Sequence, residues 1–160
     1  MTNATKNRLA QIEKIRALPG QITRLVSGLS DEQLTTHFLP PEWTVAQNVH
    51  HLADSHMNSY IRCKLIATEE NPPLKPYDQD LWARLPDAQS ADLTSSLALL
   101  TSLHNRWVLF WETLPADSWS RTGFHPESGV VSLEAQLHGY AEHGEAHIDQ
   151  IQRTLAAQGR

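Results

Sequence analysis

Apolar positions recur every three or four residues through most of the chain, and proline and glycine divide it into long segments with this helical spacing. Ser/Thr-x-x-Gln capping boxes at Thr44 with Gln47 and at Ser30 with Gln33 mark two helix starts. The four long segments span about residues 5–27, 44–69, 90–114 and 132–155. No stretch shows the alternation of a β-hairpin, so the pattern predicts an all-α protein with four long helices.

Three local features of the sequence add to this prediction. Pro19-Gly20 stands in the middle of the first segment, where a kink or a break is expected. The connection over residues 71–86 is longer than most helix–helix loops, which favours a functional or partner-facing role. The third segment carries Trp107 and Trp111 at helical spacing, and we interpret both as core residues rather than as a dimer face.

Composition narrows the class of protein. The 160 residues are 40% hydrophobic and 19% charged, which is typical of one globular domain over residues 1–160. A net charge of -5 and a pI near 5.9 argue against nucleic-acid binding. We find no apolar run long enough to span a membrane and no secretory leader, and Cys63 is the only cysteine, so we expect a cytoplasmic protein.

Nine histidines are the feature that composition does not explain. On the fourth segment His143 and His147 are four residues apart, about 40° around a helix, so they can share one metal ion. Gly144 stands where zincins have their catalytic Glu, and Glu145 lies about 200° from His143, which excludes the zincin mechanism. The alternative is a histidine pair hydrogen-bonded to backbone or carboxylate groups.

A third ligand has to come from a facing helix, because catalytic zinc sites generally use three protein ligands. The second segment offers His50, His51 and His56, of which His56 shares a face with core positions and is interpreted as a core histidine. The face of His51 is polar and either points to solvent or lines a wet cavity. Its other members are Gln47, Asn48, Ser55, Asn58 and Arg62. Periodicity does not choose between His50 and His51.

Several motifs together resemble one family along nearly the whole chain. The longest is WTVAQNVHHLADSHMNSYIR at residues 43–62, and shorter ones follow in the same order at residues 68–72, 75–78, 103–108, 124–127 and 143–147. They resemble the DinB superfamily and, within it, the YfiT-like metal-dependent hydrolases. That superfamily also includes thiol S-transferases.

The resemblance implies a DinB-like four-helix bundle in which one histidine of the second helix and two of the fourth bind a metal. The first family ligand is the histidine directly before Leu in His-Leu-Ala-Asp, which selects His51, and the others correspond to His143 and His147. We expect one divalent transition metal per chain, with zinc as the first choice and nickel as the alternative. The resemblance also implies a homodimer.

The resemblance implies hydrolysis of a small-molecule substrate, and a three-histidine metal site is compatible with it, since such a metal can lower the pKa of bound water to about 7. The same ligands would serve thiol transfer equally well, so they do not discriminate the two reactions. The first alternative is transfer of a low-molecular-weight thiol, and the second is a metal-binding module without turnover. Asn58 and Arg62 are candidate substrate-pocket residues, because they continue the face of His51. On that face only Asp54 offers itself as a general base.

Overall fold

The computed structural model describes residues 2–158, and four long helices dominate its architecture. In chain order the helices are α1 (Asn3–Val26), α2 (Asp31–Thr35), α3 (Val45–Thr68), α4 (Gln79–Trp82), α5 (Thr94–Glu112) and α6 (Leu133–Ala157). Helices α1 and α3 each pack against both α5 and α6, which closes a bundle of four. The predicted all-α four-helix bundle is confirmed.

Two apolar clusters fill the bundle. One contains Trp107 and Trp111 with Ile15, and the other contains Leu18 and Leu52. Both tryptophans are fully buried, which confirms their prediction as core residues. The polar histidines of α3, α5 and α6 are therefore held between two packed layers that fix their helices.

Local chemistry places the helix ends as the sequence predicts. Both capping boxes form, so that Thr44 starts α3 and Ser30 starts α2, and Ser132 accepts a backbone hydrogen bond at the start of α6. The predicted start of the third long helix at Ser90 is wrong, because Ser90 has extended backbone angles at the end of a 3₁₀ turn over Pro86–Gln89, and α5 begins only at Thr94.

Of the kink or break predicted at Pro19, the break does not occur, because α1 runs through this proline as one helix. Proline has no N–H, so the carbonyl of Ile15 four residues earlier loses its usual helical donor. That carbonyl instead accepts a hydrogen bond from His104 Nδ1 of α5 at 2.6 Å. The tertiary contact supplies the missing donor and helps the helix to continue.

A β-hairpin that the sequence pattern did not predict precedes α6. Strand β1 (Thr122–His125) pairs antiparallel with β2 (Gly129–Ser132), and Gly129 adopts a positive φ of 75° at the turn. Four residues are too few to show a clear alternation of apolar and polar positions, which explains the omission. Among the helices within residues 2–158, none has the length and apolar character needed to cross a membrane.

Candidate metal centre

Three histidines of two facing helices converge inside the bundle. His51 lies on α3, and His143 and His147 lie one turn apart on α6. The Nε2 atom of His143 is 3.2 Å from Nε2 of His51 and 3.2 Å from Nε2 of His147. One nitrogen from each ring lies within 4.8 Å of the other two, which is close enough for a shared metal ion. The structure therefore brings together all three predicted ligand residues.

Burial keeps these imidazoles neutral. Desolvation lowers the pKa of His51 to about 3, with a smaller contribution from His147, and lowers the pKa of His147 to about 4. Desolvation, followed by the charges of His147 and His51, lowers the pKa of His143 to about 3. A neutral imidazole is the form that binds a metal, so the three rings are in the ligating protonation state at neutral pH.

A neighbouring amide fixes the tautomer of His147. The Asn48 side chain donates from Nδ2 to the backbone carbonyl of Thr44 at 2.9 Å, which turns its Oδ1 toward His147. His147 Nδ1 lies 2.7 Å from that oxygen and must carry the proton that it donates. The Nε2 atom of His147 is left as a bare nitrogen directed at the cluster. This arrangement fits a metal ligand, because ligating histidines usually donate their other ring N–H to an oxygen acceptor.

An aromatic ring covers one side of the cluster. The Trp43 ring lies 4.7 Å from the ring of His51, edge to face, and 6.2 Å from that of His147, stacked. A small cavity of about 320 Å³ is lined by Trp43, His143 and His147. The cluster is thus partly screened from solvent by an indole and is still accessible to a small molecule.

A larger cavity of about 670 Å³ extends from His143 to the β-hairpin. Its size is within the usual range of small-molecule sites, about 300–1,000 Å³. Most of its lining is polar. The side chains in it that could bind a substrate or exchange a proton are those of Arg62, Tyr77, Asp78, His125, Glu127 and Tyr140. The polar face of α3 is therefore turned inward for most of its length. Ser55 and Arg62 line this cavity, and Gln47 and Asn48 are buried.

The two predicted substrate-pocket residues are placed differently. Arg62 lines the large cavity and donates from Nη2 to the Lys75 carbonyl at 2.6 Å. Asn58 is not among the lining residues, and its amide donates to the Asp54 carbonyl of its own helix. Asp54 does not line the cavity either, although desolvation and then the charge of Asp87 raise the pKa of its carboxyl. The candidate carboxylates of the cavity are instead Asp78 and Glu127.

The remaining sequence interpretations concern residues outside the cluster. His50 contacts Ser96 Oγ and the Ser90 carbonyl, away from the three clustered rings. Glu145 pairs with Lys14 at the surface. Burial raises the pKa of the Cys63 thiol to about 12, so this buried thiol stays protonated and unreactive at neutral pH.

Sequence reasoning missed the groups that hold and surround the cluster. His56 is fully buried, which confirms its interpretation as a core histidine, but its contact with the cluster was not predicted: its Nε2 lies 3.1 Å from Nδ1 of His143. Its partner on the other side is His104 of α5, which received no role from the sequence. Asp78 and Glu127 lie in the loop and hairpin, where helical periodicity carries no information. A usable signal for His104 was its position one turn before Trp107 on a core face.

Comparison with protein families agrees with this architecture. The family model described as the DinB superfamily matches residues 14–151. A relative from Bacillus cereus (strain 03BB102) is 44% identical over 147 residues, covering 90% of this chain and 84% of the relative. YfiT of Bacillus subtilis is 43% identical over 141 residues, covering 88% of this chain and 79% of YfiT. Both relatives are named "putative metal-dependent hydrolase".

Solved structures show the same fold. The structure of Bacillus subtilis YfiT, described as a probable metal-dependent hydrolase with an unusual four-helix bundle topology, superposes with a TM-score of 0.92 at 39% identity. The match covers 99% of this chain and 90% of that one. The mycothiol-dependent maleylpyruvate isomerase superposes with a TM-score of 0.71 at 16% identity, covering 94% of this chain and 63% of the isomerase. This second likeness concerns the fold alone.

Proposed function

Because the chain belongs to the DinB superfamily, we propose that it is a metal-dependent hydrolase in which His51, His143 and His147 hold one divalent transition metal. Zinc is the proposed metal and nickel the second choice, since imidazole nitrogens suit both. The names of the relatives support metal dependence and hydrolysis as the class of activity.

The observation that carries this proposal is the convergence of three imidazole nitrogens, all within 4.8 Å of one another, beside a cavity. Three protein ligands and a remaining open position are the usual donor set of a catalytic zinc site. A metal held there supplies Lewis acidity toward a carbonyl or phosphoryl oxygen and lowers the pKa of a water or thiol.

Other side chains of the protein are assigned the remaining roles in the proposed reaction. Asn48 orients His147, and Trp43 shields two of the rings from solvent. Arg62 lines the large cavity and uses one N–H on the Lys75 carbonyl, so it has further donors for an anionic group of a substrate. Glu127 lines the same cavity and is the proposed proton acceptor during hydrolysis.

Elemental analysis of tag-free protein tests the ligand set. We expect about one zinc or nickel per chain in the wild type. Each of His51→Ala, His143→Ala and His147→Ala should lose this metal while the circular dichroism spectrum stays helical. His138→Ala is the matched control, because His138 lies on the same helix as two of the ligands and contacts Asn7 instead of the cluster. A wild type that cannot be loaded with either metal would contradict the proposal.

Thiol transfer is the second candidate, and the state of the carboxylates in the large cavity is the observation that favours it. Of the two that line the cavity, Asp78 already accepts the Leu81 N–H as a helix cap, and Glu127 is exposed. Transfer does not need a base to activate water, because a metal lowers the pKa of the thiol directly. The same three ligands serve both reactions.

Parallel assays separate the two reactions. Metal-loaded protein should release p-nitrophenol from an ester without added thiol if it is a hydrolase. A transferase should leave the ester intact and accelerate formation of a thioether from a low-molecular-weight thiol and an alkylating electrophile. Glu127→Gln should reduce the first rate and leave the second unchanged. Metal binding without either rate would indicate a binding module.

A further inference from the structure

A chain of hydrogen-bonded histidines crosses the bundle behind the proposed metal ligands. His104 Nδ1 lies 2.6 Å from the Ile15 carbonyl, His104 Nε2 lies 2.8 Å from His56 Nδ1, and His56 Nε2 lies 3.1 Å from His143 Nδ1. Three helices contribute one histidine each, and α1 contributes the carbonyl. The histidine chain therefore connects both α1 and α5 to the cluster.

The Ile15 carbonyl determines which nitrogen donates at each hydrogen bond of the histidine chain. An oxygen can only accept, so the proton at the first contact is on His104 Nδ1, and a neutral His104 then has a bare Nε2. That bare nitrogen accepts from Nδ1 of His56, whose Nε2 is bare in turn and accepts from Nδ1 of His143. The Nε2 atom of His143 is therefore the end of the series, and it faces His51 and His147 without a proton.

Burial leaves one arrangement of protons on the ring nitrogens of the histidine chain. His56 has no exposed surface and His104 has 1%, so water cannot supply other partners. The Trp107 ring lies edge-on to both, at 5.7 and 5.8 Å between ring centres, and closes the site with an apolar wall. Desolvation is the largest cause that lowers the pKa of both His56 and His104, which agrees with neutral rings.

The Ile15 carbonyl is available as an acceptor because of a feature of the local sequence. Pro19 removes the N–H that would otherwise bond to the Ile15 carbonyl, so this oxygen is available to a neighbouring helix. An ordinary residue at position 19 would compete for the same carbonyl. The proline inside α1 thus has a consequence at His143, transmitted through His104 and His56.

From this geometry we infer that His56 and His104 are positioning residues: anchored on the Ile15 carbonyl, they hold His143 in the tautomer that presents a bare Nε2 to a metal. The inference rests on the proposed function, because it assigns a purpose to the pair only if His143 is a metal ligand. Partners of this kind fix ring orientation and typically account for about 10–100-fold in metal affinity.

Histidine tautomers can be read directly by nitrogen-15 NMR of metal-stripped and zinc-loaded protein. We expect the Nδ1–H form for His56, His104 and His143 in both states. An Nε2–H form of either His56 or His104 would overturn the inference, whatever the metal does. This measurement uses the wild type and remains decisive even if a variant fails to fold.

Zinc competition with a chromogenic chelator provides the second test. His56→Leu removes the acceptor of His143 and should weaken zinc binding about 10–100-fold, with a mixture of His143 tautomers. His56→Gln keeps an acceptor oxygen and should restore both the affinity and the single tautomer. His50→Leu is the matched control, since it deletes another buried, doubly bonded histidine of α3 and should leave zinc affinity unchanged.

The outcomes separate the two proposals. A wild type that binds zinc while His56→Leu binds it equally well would overturn the role of His56 and leave the proposed function intact. Glutamine and leucine variants that are equally weak would overturn the positioning role too, because packing, and not the acceptor, would then matter at this position. A wild type that binds neither zinc nor nickel would overturn the proposed function, and the positioning role with it.

Discussion

Lowering the pH from 7 to 5 should lower the unfolding free energy of the metal-stripped protein by several kcal/mol, because its clustered imidazoles resist protonation while the chain is folded. Burial lowers the pKa of His51 and His143 to about 3 and that of His147 and His104 to about 4. In the unfolded chain a histidine has a pKa of about 6.5. Between these values the unfolded state binds more protons, so stability is present above pH 6.5 and is lost as the pH falls.

The size of the loss follows from the difference in bound protons. At pH 5 an unfolded histidine is almost fully protonated while these four folded ones are not, and each costs about 2 kcal/mol relative to pH 7. Four such groups together remove about 7–8 kcal/mol, which is comparable with the whole stability of many domains, about 5–15 kcal/mol. His56, whose pKa burial also lowers, adds to the loss in the same direction.

Urea unfolding at a series of pH values measures this slope. We expect the unfolding free energy to fall by about 5 kcal/mol per pH unit near pH 5, against about 1.4 kcal/mol for a single histidine. His147→Gln should reduce the slope by about one histidine, and saturating zinc should move the acid transition to lower pH. A slope no larger than that of one histidine would refute the reasoning, because the rings would then be protonated within the folded protein.

Further predictions concern four single residues. Asn48→Leu should weaken zinc binding about 10–100-fold in chelator competition, because it removes the oxygen that accepts from His147 Nδ1; an unchanged affinity would contradict this role of Asn48. In urea unfolding, Gly139→Ala should stabilise α6 by about 0.5–1 kcal/mol, since nothing lies within 4 Å of the new Cβ. Gly144→Ala should be less stable than Gly139→Ala by at least about 1 kcal/mol, because its Cβ would lie 2.8 Å from Leu18 Cδ2; equal stabilities would contradict this packing. Thr44→Ala should cost about 0.5–2 kcal/mol in the same assay by removing the cap of α3, and an unchanged stability would contradict that role.

The parts of the fold that the sequence predicted are those determined by neighbours along the chain. A capping box needs residues three apart, so Thr44 and Gln47 could be paired before any tertiary contact was known. The same holds for His143 and His147, whose spacing on one helix face already places both rings together. The hairpin at residues 122–132 could not be predicted in this way, because its two strands of four residues are too short to show a periodic pattern.

The choice between His50 and His51 shows the limit of what helical periodicity can predict. The two are adjacent on α3 and both are buried, with 7% and 4% of their surface exposed, so burial does not distinguish them. What differs is the partner each ring meets: hydroxyl and carbonyl oxygens of Ser96 and Ser90 for His50, and the ring of His143 for His51. Only the family resemblance, which reflects that tertiary arrangement, could select His51 in advance.

Pro19 in α1 and His104 behind the cluster each conflict with a local structural rule. The reason is apparent only when the two residues are considered together. From the sequence, Pro19 looks like a defect in an otherwise amphipathic helix, and His104 looks like a polar residue on the core face of α5. Each leaves a buried hydrogen-bonding group without a local partner, and the structure pairs the two. Local rules are generally broken together where a function requires it. Here the pairing continues through His56 and ends on the bare Nε2 of His143, so the two apparent defects lead to the proposed metal site.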